Sequence, residues 1–335
     1  MPPRGNRLLP FRQERAGPTP CVGAVGDIDD QPMATTLPQR GAMTRFLVVG
    51  ARGFIGHWVL DALRAEGEAV GLSRLDVPGL EQVLVTDPDR LAAAIDDVRP
   101  DVIVNAAGAL SGTDEEMEEA NVTLVRHLLA EVRDRDLRFV QIGSASEIGN
   151  PHSSDPLAED VPCHPLTTYG ETKLRATSLV AAAHADGVAA TVARVFNTVG
   201  PRQTVIQPIG DVVRRMRELP PTGGRLPVGN ATVVRDFVSV GYVARAVLAL
   251  ATVDAVEPLV NVSSGHGHSV ADLVRAMVEL QGVDAEIVDL AEPAISHVIG
   301  NADLLEKLTG LRDAFTLTDL ARAALDADSD PVNLD

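Results

Sequence analysis

The sequence predicts an α/β fold: a Rossmann-type doubly wound parallel sheet with a smaller C-terminal substrate-binding lobe. Three observations predict it. Short apolar runs alternate with Ala- and Leu-rich helical stretches from Arg45 onward, at the spacing that parallel strands joined by crossover helices require. The first run, Phe46-Leu-Val-Val49, leads straight into Gly50-Ala-Arg-Gly53-Phe-Ile-Gly56. After Asn197 the alternation fades into loops punctuated by Gly200-Pro201, Pro220-Pro221 and Gly223-Gly224. Such a lobe lies over the carboxyl edge of the sheet, where ligands of these folds bind.

In chain order, residues 1–42 are rich in Pro and Arg and show no sustained periodicity. They read as a disordered extension that buries too little surface to offset its ordering entropy. Residues 43–196 form the dinucleotide-binding unit. Its strands are predicted at 46–49, 69–72, 83–85, 102–104, 138–142 and 189–195, apolar runs of the kind that buried parallel strands show. Its first helix is predicted at 55–65, and residues 232–262 return to it. Residues 197–231 and 263–327 make the lobe, with helices at 209–218, 270–281 and 317–327. Residues 328–335 are a frayed tail.

Of 335 residues, 45% are hydrophobic but only 3% aromatic, so the core is built from Ala, Val, Leu and Ile. The net charge of −18 argues against a nucleic-acid or acidic-membrane partner. An anionic ligand therefore needs Arg or Lys concentrated at its own site. Cys21 and Cys163 form no CxxC pair, which argues against a disulfide framework or a thiolate zinc site. His57, His152, His164, His266 and His268 share no metal-ligand spacing, and no metal is expected. Without a membrane-length apolar run or a secretory signal, a cytoplasmic location is the expectation.

The glycine loop carries the first chemical reading. Gly50 permits a tight turn, Gly53 lets backbone approach a pyrophosphate, and Gly56 lets the helix pack closely on the strand. Arg52, Phe54 and Ile55 complete the cradle, and the helix N-terminus favours the anion. The second strand ends Leu72-Ser73-Arg74, with no carboxylate before Asp76. Arg74, together with Arg52, suits a 2′-phosphate, so NADP(H) is preferred and NAD(H) remains open.

Tyr169-Gly-Glu-Thr-Lys173 opens a helical stretch and places phenol and ammonium at i, i+4 on one face. A neighbouring cation is expected to lower the phenol pKa and make Tyr169 an acid/base near neutrality. Ser144, just after the fifth strand, is placed to hydrogen-bond a substrate oxygen.

The glycine triad, Ser144, Tyr169 and Lys173, in this order and spacing, resemble the extended short-chain dehydrogenase/reductase family of nucleotide-sugar epimerases, dehydratases and ketoreductases. The likeness covers roughly residues 45–325. It takes in Asn105-Ala-Ala-Gly108, Asn121, Pro156-Leu-Ala-Glu-Asp160, Arg194-Val-Phe-Asn197, Val234-Arg-Asp-Phe-Val238 and Asn261-Val-Ser-Ser-Gly265. It implies that Ala106, Ala107 and Gly108 line the cofactor, that Lys173 also bonds the nicotinamide ribose, and that Tyr169 exchanges a proton with the substrate oxygen. It implies that Asn197 and Arg235 hold a nucleotide diphosphate, with Arg202 a weaker candidate and Ser146 at the sugar. It also implies a homodimer.

Within that resemblance, Ala145-Ser146 stand where the dehydratases carry Asp-Glu, and Ser146 where an epimerising reductase carries Cys. Both departures point away from those reactions. The chain looks most like NADPH-dependent reductases of nucleotide-linked 4-keto-6-deoxyhexoses. An NAD-dependent nucleotide-sugar 4-epimerase and a reductase of a non-sugar ketone are the alternatives.

Overall fold

The computed structural model describes residues 43–73, 87–151, 153, 155–291 and 296–326, with the backbone of Thr19–Pro20 and Glu81–Gln82. Among the described residues, seven strands build the central sheet: β1 (Arg45–Val49), β2 (Glu68–Ser73), a two-residue edge strand β3 (Glu81–Gln82), then β4 (Val102–Asn105), β5 (Arg138–Ser144), β6 (Ala190–Val195) and β7 (Leu259–Val262). Their order is β7-β6-β5-β4-β1-β2-β3, and every pairing is parallel. The chain winds outward from β1 in both directions, so the switch point lies between β1 and β4, where such sheets open a ligand crevice.

Alternation along the strands sorts the core into two layers. Phe46, Val48, Val104 and Val140 pack with Val59, Leu60 and Leu63 of α1 (Phe54–Arg64) and with Val243 and Val247 of a later helix, Val240–Thr252. Leu47, Val49, Ile103 and Phe139 face the opposite side. There they meet Leu91 and Ile95 of α2 (Pro88–Val98), Leu124 and Leu128 of α3 (Leu124–Arg135), and Ala176 and Val180 of α4 (Thr168–Ala185). Each fully buried Val, Leu or Phe contributes roughly 1.5–3 kcal/mol relative to exposure, so this double layer dominates stability.

Before α3 the helix is irregular. Asp114–Glu118 is α-helical, Glu119–Thr123 is a π-helical turn, and α3 continues from Leu124. Such turns recur at functional sites because they redirect one side chain without ending the helix. Here the turn carries Asn121.

The lobe is organised on strand Val234–Ser239. It pairs antiparallel with Gly267–Ser269 and parallel with both His297–Val298 and Asn197–Val199. A separate parallel pair joins Gly224–Val228 to Ala285–Asp289. Helices Pro208–Arg217, Val270–Gln281 and Leu317–Leu325 bury Ile209, Met216, Leu273 and Leu320 against these strands.

Several expectations need correction. The return to the dinucleotide-binding unit begins at Val240 rather than at residue 232, because Val234–Ser239 belongs to the lobe sheet. Helix Asp303–Thr309, assigned to the lobe, sends Leu305 into the first core layer. Within residues 1–42, Thr19–Pro20 pair antiparallel with Pro162–Cys163, while the rest of the extension before Met43 lies outside the described residues. Cys163 is disulfide-bonded, contrary to the expectation drawn from cysteine spacing, and the chain's one other cysteine, Cys21, lies outside the described residues. Strand 83–85, Arg74 and the tail 328–335 also fall outside them. Among the described residues, no helix is long and apolar enough to cross a membrane.

Candidate active site

At the switch point Gly50 adopts φ +80, and a Cβ there would sit 2.5 Å from the Ala107 nitrogen. Only glycine suits both the left-handed backbone and the close approach. The turn is fixed by Gly50 and Ala51 N–H groups donating to Leu72 O at 3.2 Å, and by Gly53 N–H donating to Gly50 O at 2.9 Å. Helix α1 starts at Phe54 with no side-chain cap on Gly53 and no acidic residue in its first turn. By contrast α2, α4 and helix Val240–Thr252 are capped by Asp87, Thr167 and Ser239. An uncapped N-terminus leaves N–H donors for an anion. Phe54 is buried beneath the loop, whereas Arg52, Gly53 and Ile55 reach the surface in part. Ser73 is buried at the end of β2.

The opposite wall is shaped by buried amides. Asn105, fully buried, donates to Gln141 Oε1 at 2.8 Å and accepts from the Ala107 N–H at 3.1 Å. Asn121 accepts from the Ala109 N–H at 2.9 Å and donates to Ala109 O at 3.0 Å and to Thr172 Oγ1 at 2.9 Å. Its oxygen lies 2.8 Å from where a Cβ on Gly108 would stand. Ala106, Ala107 and Gly108 are thus held open along one side of the crevice, opposite the glycine loop. This cradle fits a dinucleotide. The sequence pattern assigns Asn105 and Asn121 no role; the legible signal is an amide ending the apolar run Val102-Ile-Val104.

The reacting groups converge from β5 and α4. Ser144 ends β5, and its Oγ accepts from the Ser146 N–H at 3.2 Å; Ser146 itself is exposed. Tyr169 lies in the first turn of α4, with its phenol near enough to the Ser144 side chain for that hydroxyl to favour the ionised form. Gly170 makes the approach possible, because a Cβ there would stand 2.6 Å from Ser146 O. Lys173, almost wholly buried one turn on, donates from Nζ to Ile142 O at 2.5 Å. Gln141 Nε2 donates to the same carbonyl at 2.9 Å.

Electrostatics here differ from expectation. Burial pushes the Tyr169 phenol up to about 12; the Ser144 hydroxyl pulls it down and the charge of Glu147 pushes it up. Burial also brings Lys173 down to about 8, opposed by Glu147. The expected lowering of the phenol is therefore overturned: desolvation of the phenolate is the largest influence, and Lys173 is not among the groups that shift it.

The proposed diphosphate residues separate. Arg235 is partly buried and donates from one guanidinium nitrogen to Val234 O at 2.8 Å and to Ser296 O and Oγ at 3.1 Å. No carboxylate pairs with it among the described residues, and burial alone lowers its pKa. Asn197 gives its amide nitrogen to Asp236 O at 3.2 Å, which ties the two lobe strands together. Arg202 contacts α1. Its backbone is left-handed (φ 67), and its guanidinium meets His57 Nε2 of α1 at 3.1 Å.

Residues 46–263 match the NAD dependent epimerase/dehydratase family, and the chain belongs to it. A dTDP-6-deoxy-L-talose 4-dehydrogenase (NAD(P)(+)) from Kitasatospora kifunensis is 32% identical over 75% of this chain and 84% of its own. A GDP-6-deoxy-D-mannose reductase from Pseudomonas aeruginosa is 27% identical over 84% of this chain and 96% of its own. The structure of RMD from the same organism, complexed with NADPH, superposes with a TM-score of 0.72 at 28% identity, covering 84% and 97% of the two chains. The chain is thus an NAD(P)-dependent oxidoreductase-type enzyme of the sugar-nucleotide-modifying group.

Proposed function

We propose that the chain is an NADPH-dependent ketoreductase acting on a nucleotide-linked 4-keto-6-deoxyhexose, with Tyr169 as proton donor. The observation that carries this reading is the pairing of Ser144 with Tyr169 above buried Lys173, together with a cation, Arg235, that has no acidic partner among the described residues. Relatives named as a deoxysugar 4-dehydrogenase and a deoxysugar reductase support it.

The glycine loop, the α1 N-terminus and residues 106–108 would hold the dinucleotide, and the sequence offers Arg52 and Arg74 as candidates for a 2′-phosphate. When bound, it supplies a hydride to the carbonyl carbon. Ser144 holds the carbonyl oxygen in line with the phenol, and Tyr169 gives that oxygen its proton. The raised pKa suits a donor, since the phenol stays protonated across neutrality. The ammonium of Lys173 stabilises the phenolate left behind. Arg235 binds the substrate phosphates at the lobe. A homodimer in the cytoplasm completes the proposal.

The test is to supply NADPH or NADH with GDP- and dTDP-linked 4-keto-6-deoxyhexoses and follow loss of reduced-nicotinamide absorbance. Net consumption of NADPH supports the reading. Tightly held NAD that copurifies and interconverts 4-epimers without net consumption overturns it in favour of an epimerase, and turnover only of uncharged ketones overturns the nucleotide-sugar substrate.

A further inference from the structure

Behind Ser144 and Lys173 lies a fully buried ion pair that the proton transfer described above does not use. Glu147 ends the short 3-10 turn Ala145–Glu147, and Arg194 sits on β6; both side chains have 0% exposure. Glu147 Oε1 accepts from the Ser144 N–H at 2.9 Å, and Oε2 accepts from the Thr177 hydroxyl of α4 at 3.0 Å. Arg194 Nε faces Oε2 at 3.5 Å, a charge contact longer than a good hydrogen bond. The rest of the guanidinium is spread over Glu159 O at 3.1 Å, Asn261 Oδ1 at 3.5 Å and Cys163 Sγ at 3.9 Å.

Stability alone does not account for this arrangement, because apolar residues of similar volume commonly hold a core as well as a buried ion pair does. Its geometry, however, serves the site. One carboxylate clamps the end of β5, which carries Ser144, to α4, which carries Tyr169 and Lys173. Thr177 lies one helical turn beyond Lys173, on the same face of α4, so the clamp closes one turn along the helix from the residue that carries the ammonium. Glu147 is also the acidic group whose charge acts on both Tyr169 and Lys173.

We propose that Glu147, anchored by Arg194, is a positioning residue for proton transfer: it fixes Ser144 against Tyr169 and serves as the counter-charge that keeps Lys173 cationic. This rests on the reading of Tyr169 as proton donor. A neutral residue at 147 lets both Lys173 and Tyr169 lose their protons at lower pH, so the two effects move the activity profile in the same direction.

The experiment uses the full chain, NADPH and whichever GDP- or dTDP-linked 4-keto-6-deoxyhexose it turns over. Glu147→Gln keeps the size and one acceptor but removes the charge. Because it leaves Arg194 buried without a partner, the double variant Glu147→Gln with Arg194→Met is made beside it. In both, the alkaline limb of the kcat profile is expected to move down by at least about half a pH unit. A fall in kcat of about tenfold should accompany it, with the NADPH Kd within about twofold of the parent. Glu147→Asp, which retains the charge, should restore the position of the limb. A double variant with the parent's kcat and profile overturns the proposal, as does a loss of activity that tracks thermal unfolding while the limb stays in place. Tyr169→Phe separates the two readings. If it retains full activity, the proton-donor reading itself fails; if it is inactive while the Glu147 variants behave as the parent, only the positioning role fails.

Discussion

Arg235 and Asp236 stand side by side on one lobe strand and make no ion pair: Arg235 reaches Ser296, whereas the Asp236 carboxylate accepts from Ser264 N–H and Oγ, Gly265 N–H and Gly300 N–H. Adjacent residues of a strand point to opposite faces, and here one face meets the cleft wall while the other closes the lobe onto the loop after β7. The cation is thereby left with its charge uncompensated by its neighbour. Arg235→Ala should raise KM for a nucleotide sugar roughly 10- to 100-fold, the loss of one charged hydrogen bond of about 1.5–3 kcal/mol. The NADPH Kd should stay constant. Initial-rate kinetics with separate titration of the two ligands checks this, and an unchanged KM would remove Arg235 from the substrate site.

Asp236 is fully buried, and burial raises its carboxyl to about 6 against the pull of its four hydrogen bonds. A carboxyl whose pKa is higher folded than unfolded contributes stability below the unfolded value, and that contribution is lost as pH rises through about 6. Asp236→Asn should flatten this part of the stability curve. It should also cost about 1–3 kcal/mol, because an amide NH2 cannot accept from the Gly265 and Gly300 N–H groups. Urea midpoints measured either side of that pH test both statements.

Gly50→Ala puts a methyl group against Ala107 N and forces a left-handed backbone on an L-residue, at about 1–3 kcal/mol for the backbone alone. The expected outcome is a loss of NADPH affinity of about tenfold or more, with the fold retained. Equilibrium binding together with circular dichroism distinguishes that from global unfolding.

Tyr169→Phe should lower kcat by roughly a hundred- to ten-thousand-fold while leaving NADPH binding intact. In the parent enzyme, reduction should be level through neutrality and decline above about pH 8, where Lys173 loses its proton while Tyr169 keeps its own until far higher. The reverse oxidation needs the phenolate and should climb with pH over the same range. A reduction rate that peaks in acid and falls before neutrality would contradict this assignment.

The sheet was legible because buried parallel strands leave apolar runs, and Phe46-Leu-Val-Val49 and Val102-Ile-Val104 are unbroken ones, while Ala189–Val195 is broken only by Thr191 and Arg194. The glycine loop and the Tyr169/Lys173 pair were legible because backbone approach and helical spacing each restrict residue choice locally. Nothing in Val234–Ser239, which carries Arg235 and Asp236, shows which sheet it joins; only its strand partners do. Glu147, Asn121 and Asp236 escaped for a related reason. Each is a polar residue whose role depends on groups distant in sequence, and nothing about an acidic or amide residue beside a strand end announces a fully buried site. The phenol shift runs opposite to expectation because helical spacing reports a residue at i+4 but not the desolvation of the phenol.

Trp58 is the chain's single tryptophan. It sits in the second turn of α1, donates from its indole nitrogen to Pro201 O at 3.3 Å and meets His57 edge-on with ring centroids 6.4 Å apart. One fluorophore therefore bridges the helix that opens from the glycine loop and the chain segment leading into the lobe. Its emission overlaps the absorption of reduced nicotinamide but not that of the oxidised form. The protein thus carries its own optical reporter for the binding of reduced nicotinamide, readable in a cuvette without a label.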